Sequence, residues 1–496
     1  MNPHNETVLA FDLGASSGRA IIGQYEIGDD GLSYLRIEEI HRFPNHGIQV
    51  GKHYHWDILR IFQELKIGFR KAFQEGYQPA TFGVDTWGVD FGLLDRGGEL
   101  IGNPYHYRDP QTEGLIEELN ELIGREAMFA QSGLQFMPFN TIYQLYAMRK
   151  ADSPKLTIAE TLLLTPDLLV FLLTGKPYCE YTMATTTQLY HPVKNEWNKE
   201  LMDRLGIPSD LFLDVVRPGT LLASLSQEVC EEMGIPPVTS VAVATHDTES
   251  AVVAIPADAG TFCYLVCGTW SLLGTEQPDP VLSREALDLE FSNEGGAGDR
   301  YQLLKNIMGL WILQECKREW DEDGRDLSYP QLVQEAEASE PFRSLLQPDD
   351  LRFYGPGGMI GKVQDYCRET GQPVPETPGQ IVRCILESLA LRYKQAIGQA
   401  ERLTGNAFTG LHMVGGGIQN ELLCQFTADA LNRPVWAGPV EASAIGNVLM
   451  QLIALGRCAD LQEARQLVAR SFPITTYKPN ASLDWAAAYE RFEAFV

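Results

Sequence analysis

A carboxylate followed by a turn of small residues and one guanidinium stands near the start of the chain. Asp12 ends an apolar run, residues 14–18 are Gly-Ala-Ser-Ser-Gly, and Arg19 opens a second apolar run. Small residues let backbone N–H groups approach an anion, and hydroxyl and guanidinium groups add further donors. A carboxylate at the same turn suits a hard cation such as Mg²⁺. The pattern predicts a strand–turn–strand unit that binds a nucleotide phosphate with Mg²⁺; the alternative is an ordinary hairpin with a solvated Asp12.

A polar cluster in the middle of the chain follows another apolar strand pattern. The predicted strand 240–245 leads into His246, Asp247 and Thr248, and a helix pattern follows. α/β proteins place reactive groups at the carboxyl ends of strands, where a helix begins. These three residues are therefore candidate functional groups, although Asp247 or Thr248 could equally cap the helix.

Two further glycine-containing turns lie in the second half of the chain. Residues 262–275 repeat the strand–turn–strand pattern around Gly268 and Thr269, and three glycines at 415–417 join a strand pattern to a helix pattern. The repeated hairpin indicates a duplicated unit whose halves hold one nucleotide from both sides, or two unrelated hairpins. Consecutive glycines allow backbone to lie against a base or ribose; the alternative is a plain tight turn.

Apolar spacing predicts the elements that position these groups. Residues 81–95 predict two strands joined by a kink at Gly88, which either lets main chain approach a ligand or marks a β-bulge. We also predict a strand over 34–43 and a flexible loop at 293–296. The predicted helices are 57–75, 304–314, 379–403 and one that starts at 421.

Several common catalytic and nucleotide-binding motifs are missing from the sequence. It has no Gly-Lys-Ser/Thr of a Walker loop, no strand-linked G-x-G-x-x-G and no H-E-x-x-H. Residues 14–18 match the letters G-x-S-x-G, but a nucleophile elbow needs a helix after its serine, and a strand pattern follows Ser16. A hydrolase serine at this position is therefore disfavoured.

Composition limits the class of protein and its partners. A chain of 496 residues exceeds the size of one core, so we expect two domains, 1–245 and 246–496. The net charge of −27 disfavours nucleic acid and anionic membranes as partners. Residues 1–6 lack a basic leader region, the apolar run 162–173 is too short to span a bilayer, and nine cysteines favour free thiols. These features predict a cytoplasmic protein.

Several of these motifs together resemble the FGGY family of carbohydrate kinases. The motifs that carry the resemblance are residues 12–19, Asp247, Gly268-Thr269-Trp270-Ser271 and Gly415-Gly416-Gly417. Residues 83–91, 246–248, 293–296 and 305–311 are similar to the members of that family that phosphorylate L-rhamnulose. The resemblance covers residues 8 to about 447. It implies an α/β fold of two actin/hexokinase/Hsp70-like (ribonuclease H-like) domains that face a central cleft.

The resemblance also implies roles for individual residues. Asp247 is the catalytic base, and Asp12 lies near Mg²⁺ through water. The residues implied to contact ATP are Ala15, Ser16, Ser17, Gly18, Arg19, Thr269, Gln314 and Gly416. The residues implied to contact the sugar are Gly88, His246, Asp247, Thr248 and Asn306.

The activity implied by the resemblance is ATP-dependent phosphorylation of L-rhamnulose at O1, which gives L-rhamnulose 1-phosphate and ADP in the breakdown of L-rhamnose. Another ketose, such as L-fuculose or a pentulose, is the nearest alternative. An actin- or Hsp70-like ATPase with a protein partner and a catalytically silent sensor are alternatives of other classes. The expected partners are a small ketose and ATP, and the expected state is a monomer or small homo-oligomer.

Overall fold

A computed structural model describes residues 5–257 and 261–495. Residues 1–4, part of the segment used for the leader prediction, lie outside that range. The strands are β1 (Glu6–Leu13), β2 (Ser17–Ile27), β3 (Ser33–Pro44), β4 (Ile48–Val50), β5 (His53–His55), β6 (Thr81–Thr86), β7 (Phe91–Leu94), β8 (Thr161–Leu164), β9 (Cys179–Glu180), β10 (Tyr190–His191), β11 (Glu196–Trp197), β12 (Val215–Val216), β13 (Thr220–Ser224), β14 (Thr239–Ala242), β15 (Tyr264–Cys267), β16 (Trp270–Gln277), β17 (Ser292–Gly295), β18 (Tyr301–Met308), β19 (Leu411–Val414), β20 (Val435–Ala437) and β21 (Thr475–Tyr477).

The α-helices alternate with these strands along much of the chain. They are α1 (Ile58–Gln74), α2 (Leu115–Ile123), α3 (Arg125–Ser132), α4 (Thr141–Lys150), α5 (Pro154–Ile158), α6 (Thr165–Thr174), α7 (Tyr181–Thr185), α8 (Lys199–Leu205), α9 (Gln227–Met233), α10 (Asp247–Val253), α11 (Arg284–Asp288), α12 (Trp311–Glu322), α13 (Tyr329–Ala338), α14 (Met359–Glu369), α15 (Pro378–Thr404), α16 (Glu421–Leu431), α17 (Ala442–Ala454), α18 (Leu461–Ser471) and α19 (Trp485–Glu493). Short 3₁₀ turns occur at Pro110–Thr112, Ser209–Leu211, Leu351–Phe353 and Gly416–Gln419.

The described residues form two compact units that alternate along the chain. The first unit lies within 1–258, 277–303 and 442–471, and the second within 259–276, 304–441 and 472–496. The α/β class and the presence of two units confirm the expected fold class. The domain boundary expected between residues 245 and 246 remains a prediction.

The first unit is built on a six-stranded sheet in the order β13-β14-β6-β1-β2-β3. Strands β14, β6 and β1 are parallel, whereas β2 returns antiparallel to β1 as a hairpin. α1 packs on the face that carries Phe11, and α17 packs on the opposite face, where Val448 lies against Val8 and Gly23. Helices on both faces cover the parallel strands, which is why most residues of these strands are buried, including Asp12 and Asp85.

A close helix crossing fixes the start of α10 in the first unit. A Cβ added to Gly446 of α17 would lie 1.7 Å from the backbone oxygen of Ser250 in α10. Only glycine permits this approach of two backbones. The contact sets the position of α10, which begins at Asp247.

The second unit has a sheet in which β18, β16, β15, β19, β20 and β21 are neighbours in that order. Residues 292–303, with β17 and the start of β18, belong to the first unit. β15 and β16 form the predicted hairpin, and β15 is parallel to β19. The long helix α15 is buried along most of its length. No described helix has both the length and the apolar character that a membrane crossing requires.

Local predictions are confirmed for the elements with a strong pattern, which include β1, β2, β3, α1, α15 and α16. Two local predictions are wrong. Residues 293–295 belong to strand β17 rather than to a flexible loop, and Gly296 follows the strand. Residues 304–308, including Asn306, continue strand β18, and the helix begins only at Trp311. An apolar run of this length suits either structure, and sheet pairing decides it. All nine cysteines lie among the described residues as buried thiols.

Candidate active site

Three parallel strands of the first unit end side by side and carry the candidate catalytic groups. Asp12 of β1 is paired in register with Asp85 of β6. The neighbouring chain segment after β14 continues this arrangement, because the backbone N–H of Thr86 donates to the oxygen of Thr245 at 2.9 Å. His246 forms a parallel bridge with Thr86, and Asp247 follows it. The carboxyl ends of adjacent parallel strands are the usual place for a site in an α/β fold.

The turn between β1 and β2 is held by its own backbone and by Asn45. The N–H of Gly14 donates to Ser17 O at 2.9 Å, and the Asn45 side chain donates to Gly14 O at 2.9 Å. Ala15 and Ser17 are half-buried and Ser16 is exposed. This turn therefore presents small residues to solvent, as a phosphate-binding loop requires.

Arg19 and Asp12 form an ion pair across the same hairpin. Their positions are paired in the antiparallel register, and Nη2 of Arg19 donates to Oδ2 of Asp12 at 2.6 Å. Gly18, which precedes Arg19 and is paired with Leu13, has no room for a side chain, because a Cβ would lie 2.2 Å from the Phe43 ring. The hairpin thus fixes a guanidinium and a carboxylate at the base of the small-residue turn.

Asp85 is a completely buried carboxyl group that sequence reasoning missed. Burial, followed by the charge of Asp12, raises its pKa well above the ordinary value, and the hydrogen bond from Asn447 acts in the opposite direction. The Asn447 amide donates to Oδ2 at 2.6 Å, while Oδ1 accepts no hydrogen bond from any described residue. A buried carboxylate oxygen without a donor, next to a second carboxylate, fits the preference of Mg²⁺ for hard oxygen ligands.

Asp247 is the most accessible carboxyl group of this set, with 27% of its side chain exposed. Burial of the group raises its pKa to about 6, the charge of His246 lowers it, and the charge of Asp12 raises it. α10 begins at Asp247 and its N-cap position is His246, so Asp247 is not the N-cap residue. Thr248 donates its hydroxyl to Oδ1 of Asp247 at 3.4 Å. The group is ionised at neutral pH and still reachable by a substrate.

His246 lies between two carboxyl groups. Its Nδ1 is 3.1 Å from Oε2 of Glu294, and its Nε2 is 3.7 Å from Oδ1 of Asp247. Its backbone N–H donates to the hydroxyl of Thr182 at 3.2 Å. Both ring edges and the main chain of His246 are therefore fixed by groups of the first unit.

The threonine-rich segment 182–186 joins three parts of this site. Besides the Thr182 contact, Thr185 accepts the N–H of Gly295 at 2.8 Å, and Thr186 accepts the N–H of Val89 at 3.2 Å. Glu180 supports the segment, because its Oε2 accepts the hydroxyls of Thr182 and Thr245, each at 2.6 Å. These contacts tie the segments that carry Gly88, His246 and Glu294 to one short helix.

Gly88 lies against His246 in a strained turn. A Cβ added to Gly88 would lie 3.4 Å from Nε2 of His246 and 3.3 Å from Cγ2 of Thr186. The next residue, Val89, has a φ of 69°, which is costly for a β-branched side chain. Asp90 follows, and its carboxylate accepts four hydrogen bonds from surrounding groups. The turn is thus imposed by its surroundings and brings the Gly88 main chain to the imidazole.

The second unit brings together most of the remaining predicted contacts. The hydroxyl of Thr269 lies 3.2 Å from Oε1 of Gln314, and the backbone N–H of Trp311 donates to Thr269 O at 3.2 Å. The glycine turn after β19 packs on the adjacent strand, since a Cβ on Gly417 would lie 2.4 Å from the sulfur of Cys267.

Two predicted contacts of the second unit remain. Gly416 opens the 3₁₀ turn of that segment, and Asn306 lies on β18, away from either turn in sequence. Thr269 and Gly416 follow the neighbouring parallel strands β15 and β19, and Gln314 of α12 reaches Thr269. Such strand ends are the usual place for a nucleotide in an α/β fold.

Comparison with known proteins gives the family. Residues 7–254 match the N-terminal domain of the FGGY family of carbohydrate kinases, and residues 263–455 match its C-terminal domain. A rhamnulokinase of Bacteroides thetaiotaomicron is 44% identical over 98% of this chain and 99% of its own length. A rhamnulokinase of Oceanobacillus iheyensis is 42% identical over 95% of this chain and 97% of its own length.

Solved structures agree in fold. A ligand-bound xylulose kinase from Lactobacillus acidophilus superimposes with a TM-score of 0.79 at 16% identity, over 99% of this chain and 97% of that one. A Plasmodium falciparum glycerol kinase with ADP gives a TM-score of 0.73 at 16% identity, over 98% of each chain. The chain belongs to the FGGY family of carbohydrate kinases.

Proposed function

We propose that this protein transfers the terminal phosphoryl group of ATP to O1 of L-rhamnulose, producing L-rhamnulose 1-phosphate and ADP. The observation that carries the proposal is the match to rhamnulokinases over nearly the whole chain. The protein also has a candidate carboxyl base at the start of α10. Since carbohydrate kinases phosphorylate a sugar hydroxyl, Asp247 is the group we assign to the chemical step.

In the proposed mechanism, Asp247 accepts the proton of the O1 hydroxyl while the oxygen forms its bond to phosphorus. A pKa of about 6 leaves the carboxylate ionised at neutral pH but still basic enough to take a proton. General-base help of this kind is worth ~10²–10⁴-fold in rate. The proposed sugar contacts that align O1 are Gly88, His246, Thr248 and Asn306.

The remaining catalysis is alignment and charge neutralisation of the phosphates. We assign the backbone of residues 15–18 and the guanidinium of Arg19 to the phosphates, and Thr269, Gln314 and Gly416 to other parts of ATP. Asp12, through water, and Asp85 fit Mg²⁺, because both are buried carboxyl groups on adjacent strands. When bound, Mg²⁺ supplies positive charge that neutralises the phosphate oxygens.

The setting we propose is the cytoplasm, with ATP, Mg²⁺ and a small ketose as the partners and a monomer or small homo-oligomer as the state. The acidic surface supports the exclusion of nucleic acid and anionic membranes as partners.

The proposed activity is tested by ADP release in a coupled assay across ketoses. We expect the largest kcat/KM with L-rhamnulose and lower values with L-fuculose, L-ribulose and D-xylulose. Formation of the 1-phosphate is checked by ³¹P NMR of the product. A preference for another ketose would overturn the substrate assignment. ADP release that needs no sugar but rises with a protein partner would overturn the kinase assignment itself.

A further inference from the structure

A buried carboxyl group outside the expected set of site residues lies directly behind His246. Glu294 is only 5% exposed, and its Oε2 is 3.1 Å from Nδ1 of His246. The opposite ring nitrogen, Nε2, faces Oδ1 of Asp247 at 3.7 Å. The three side chains thus form a line that begins in the interior of the first unit and ends at the accessible Asp247.

Strand β17 holds Glu294 in place from both sides. The side chain of Asn293 donates to Gly133 O and Val281 O, each at 3.0 Å, and its Oδ1 accepts the N–H of Val281 at 2.6 Å. On the other side, Gly295 donates its N–H to Thr185 at 2.8 Å. A Cβ on Gly295 would lie 2.4 Å from the Tyr181 ring, so the strand fits closely against α7. The carboxyl group is therefore delivered to the imidazole by a rigid segment.

We infer that Glu294 is a positioning residue for phosphoryl transfer: its carboxylate accepts the proton of Nδ1 of His246 and fixes the imidazole with Nε2 directed toward Asp247 and the sugar. The inference rests on the proposed function, in which His246 contacts the sugar and Asp247 is the base. A carboxylate on one ring nitrogen sets which nitrogen carries a proton and how the ring is turned.

The charges around His246 give this arrangement a measurable consequence. Burial lowers the pKa of His246, but the close approach and charge of Glu294, followed by the charges of Asp247 and Glu180, outweigh burial, so the pKa is raised. Glu249 of α10 also faces this group, with a carboxylate oxygen within 4.8 Å of the ligand atoms of His246 and Glu294. A protonated His246 in turn lowers the pKa of Asp247. Loss of the Glu294 charge should therefore change both groups.

The test uses the full-length protein with Glu294→Gln, which keeps the shape and removes the charge. Glu290→Gln is the control, because Glu290 lies on the same stretch of chain with 54% of its side chain exposed. Histidine ¹⁵N NMR without substrate gives the tautomer and pKa of His246, assigned with His246→Asn. The pH profile of kcat/KM for the ketose is measured in parallel.

In Glu294→Gln we expect the pKa of His246 to fall by about 1 unit or more, since an opposite charge at this distance shifts a pKa by 1–3 units. The acidic limb of the kcat/KM profile should move to higher pH by about half a unit or more, with KM for ATP unchanged. Glu290→Gln should behave as wild type. An unchanged His246 titration together with an unchanged profile would overturn the inference.

A second variant and a separate readout keep the result decisive. Glu294→Asp keeps the charge but withdraws it from Nδ1 of His246, so the pKa of His246 should lie between the values of wild type and Glu294→Gln. If glutamine prevents folding, an aspartate variant whose titration and kcat/KM are those of wild type overturns the inference. If the wild-type protein phosphorylates no ketose, the proposed function fails, whereas the NMR titration still decides whether Glu294 controls His246.

Discussion

Replacing Asp90 with asparagine should destabilise the protein and weaken its hold on the sugar. Oδ2 of Asp90 accepts the indole N–H of Trp56 at 2.6 Å, the indole N–H of Trp87 at 2.9 Å and the backbone N–H of Tyr107 at 3.2 Å. Oδ1 accepts the amide of Gln144 at 2.8 Å. Asparagine offers one acceptor oxygen, so its own NH₂ group must face a donor in either orientation.

The size of the effect follows from these contacts. One buried donor loses its acceptor, which costs about 1–3 kcal/mol, and the remaining bonds lose the benefit of a charged acceptor, worth about 1 kcal/mol each. The substitution also removes the cost of burying a charge, which offsets part of the lost stability. That cost is reflected in the pKa of Asp90, which burial raises to about 7 although its four donors lower it. We expect a net loss of about 2–4 kcal/mol in the free energy of unfolding.

Chemical denaturation followed by tryptophan fluorescence measures that loss, because two indoles donate to Asp90. The control is Asp279→Asn, the same chemical change at an exposed position of the first unit. Because Asp90 directly follows the strained turn at Val89, KM for the ketose should rise more than KM for ATP. An unfolding free energy within ~0.5 kcal/mol of wild type would refute the argument that this carboxylate holds the turn.

Other expected outcomes follow from single contacts. Gly88→Ala should raise KM for the ketose with little change in melting temperature, because the new methyl group would lie 3.3–3.4 Å from its neighbours; an unchanged KM would contradict a sugar contact there. The wild-type kcat/KM should fall as the pH drops below about 6, where Asp247 takes up a proton; a profile that stays flat down to pH ~5 would disagree. Asn447→Asp sets a second carboxyl group against Asp85, whose folded-state pKa is already raised. Its destabilisation should be small at pH ~4 and reach about 3 kcal/mol at pH ~8, because ionisation of raised-pKa groups costs stability as pH rises; urea melts across pH that show no such trend would count against it. Gly446→Ala should cost about 1–3 kcal/mol or more, since its Cβ would lie 1.7 Å from a backbone oxygen of α10; a wild-type melt would show that the two helices separate easily.

The sequence was most informative where local pattern and tertiary structure agree. The hairpin of β1 and β2 has apolar runs on both sides of a small-residue turn, and α15 has helical spacing over 27 residues. Both were predicted because each is long and strongly patterned. His246 and Asp247 were found from their place after an apolar strand, a signal that physical reasoning can use without structure.

The groups that sequence reasoning missed depend on contacts between distant parts of the chain. Residues 293–296, which comprise most of β17 and the glycine after it, have a sequence typical of a loop. Hydrogen bonds to Thr185 and Gly133 nevertheless hold β17 as a strand. Asp85 belongs to a motif that was singled out for its Gly88 kink, and its importance appears only from the register with Asp12. The sequence shows no role for the threonine-rich segment, because the N–H groups that its hydroxyls accept come from residues far away in sequence.

The role of Asp247 in proton removal is tested most directly by Asp247→Asn under saturating ATP and ketose, with ATP binding measured by calorimetry on the same protein. Our mechanism predicts turnover at least ~10²-fold below wild type, with ATP affinity and folding retained. Turnover close to that of the wild-type protein would contradict it and would remove Asp247 from the position of base.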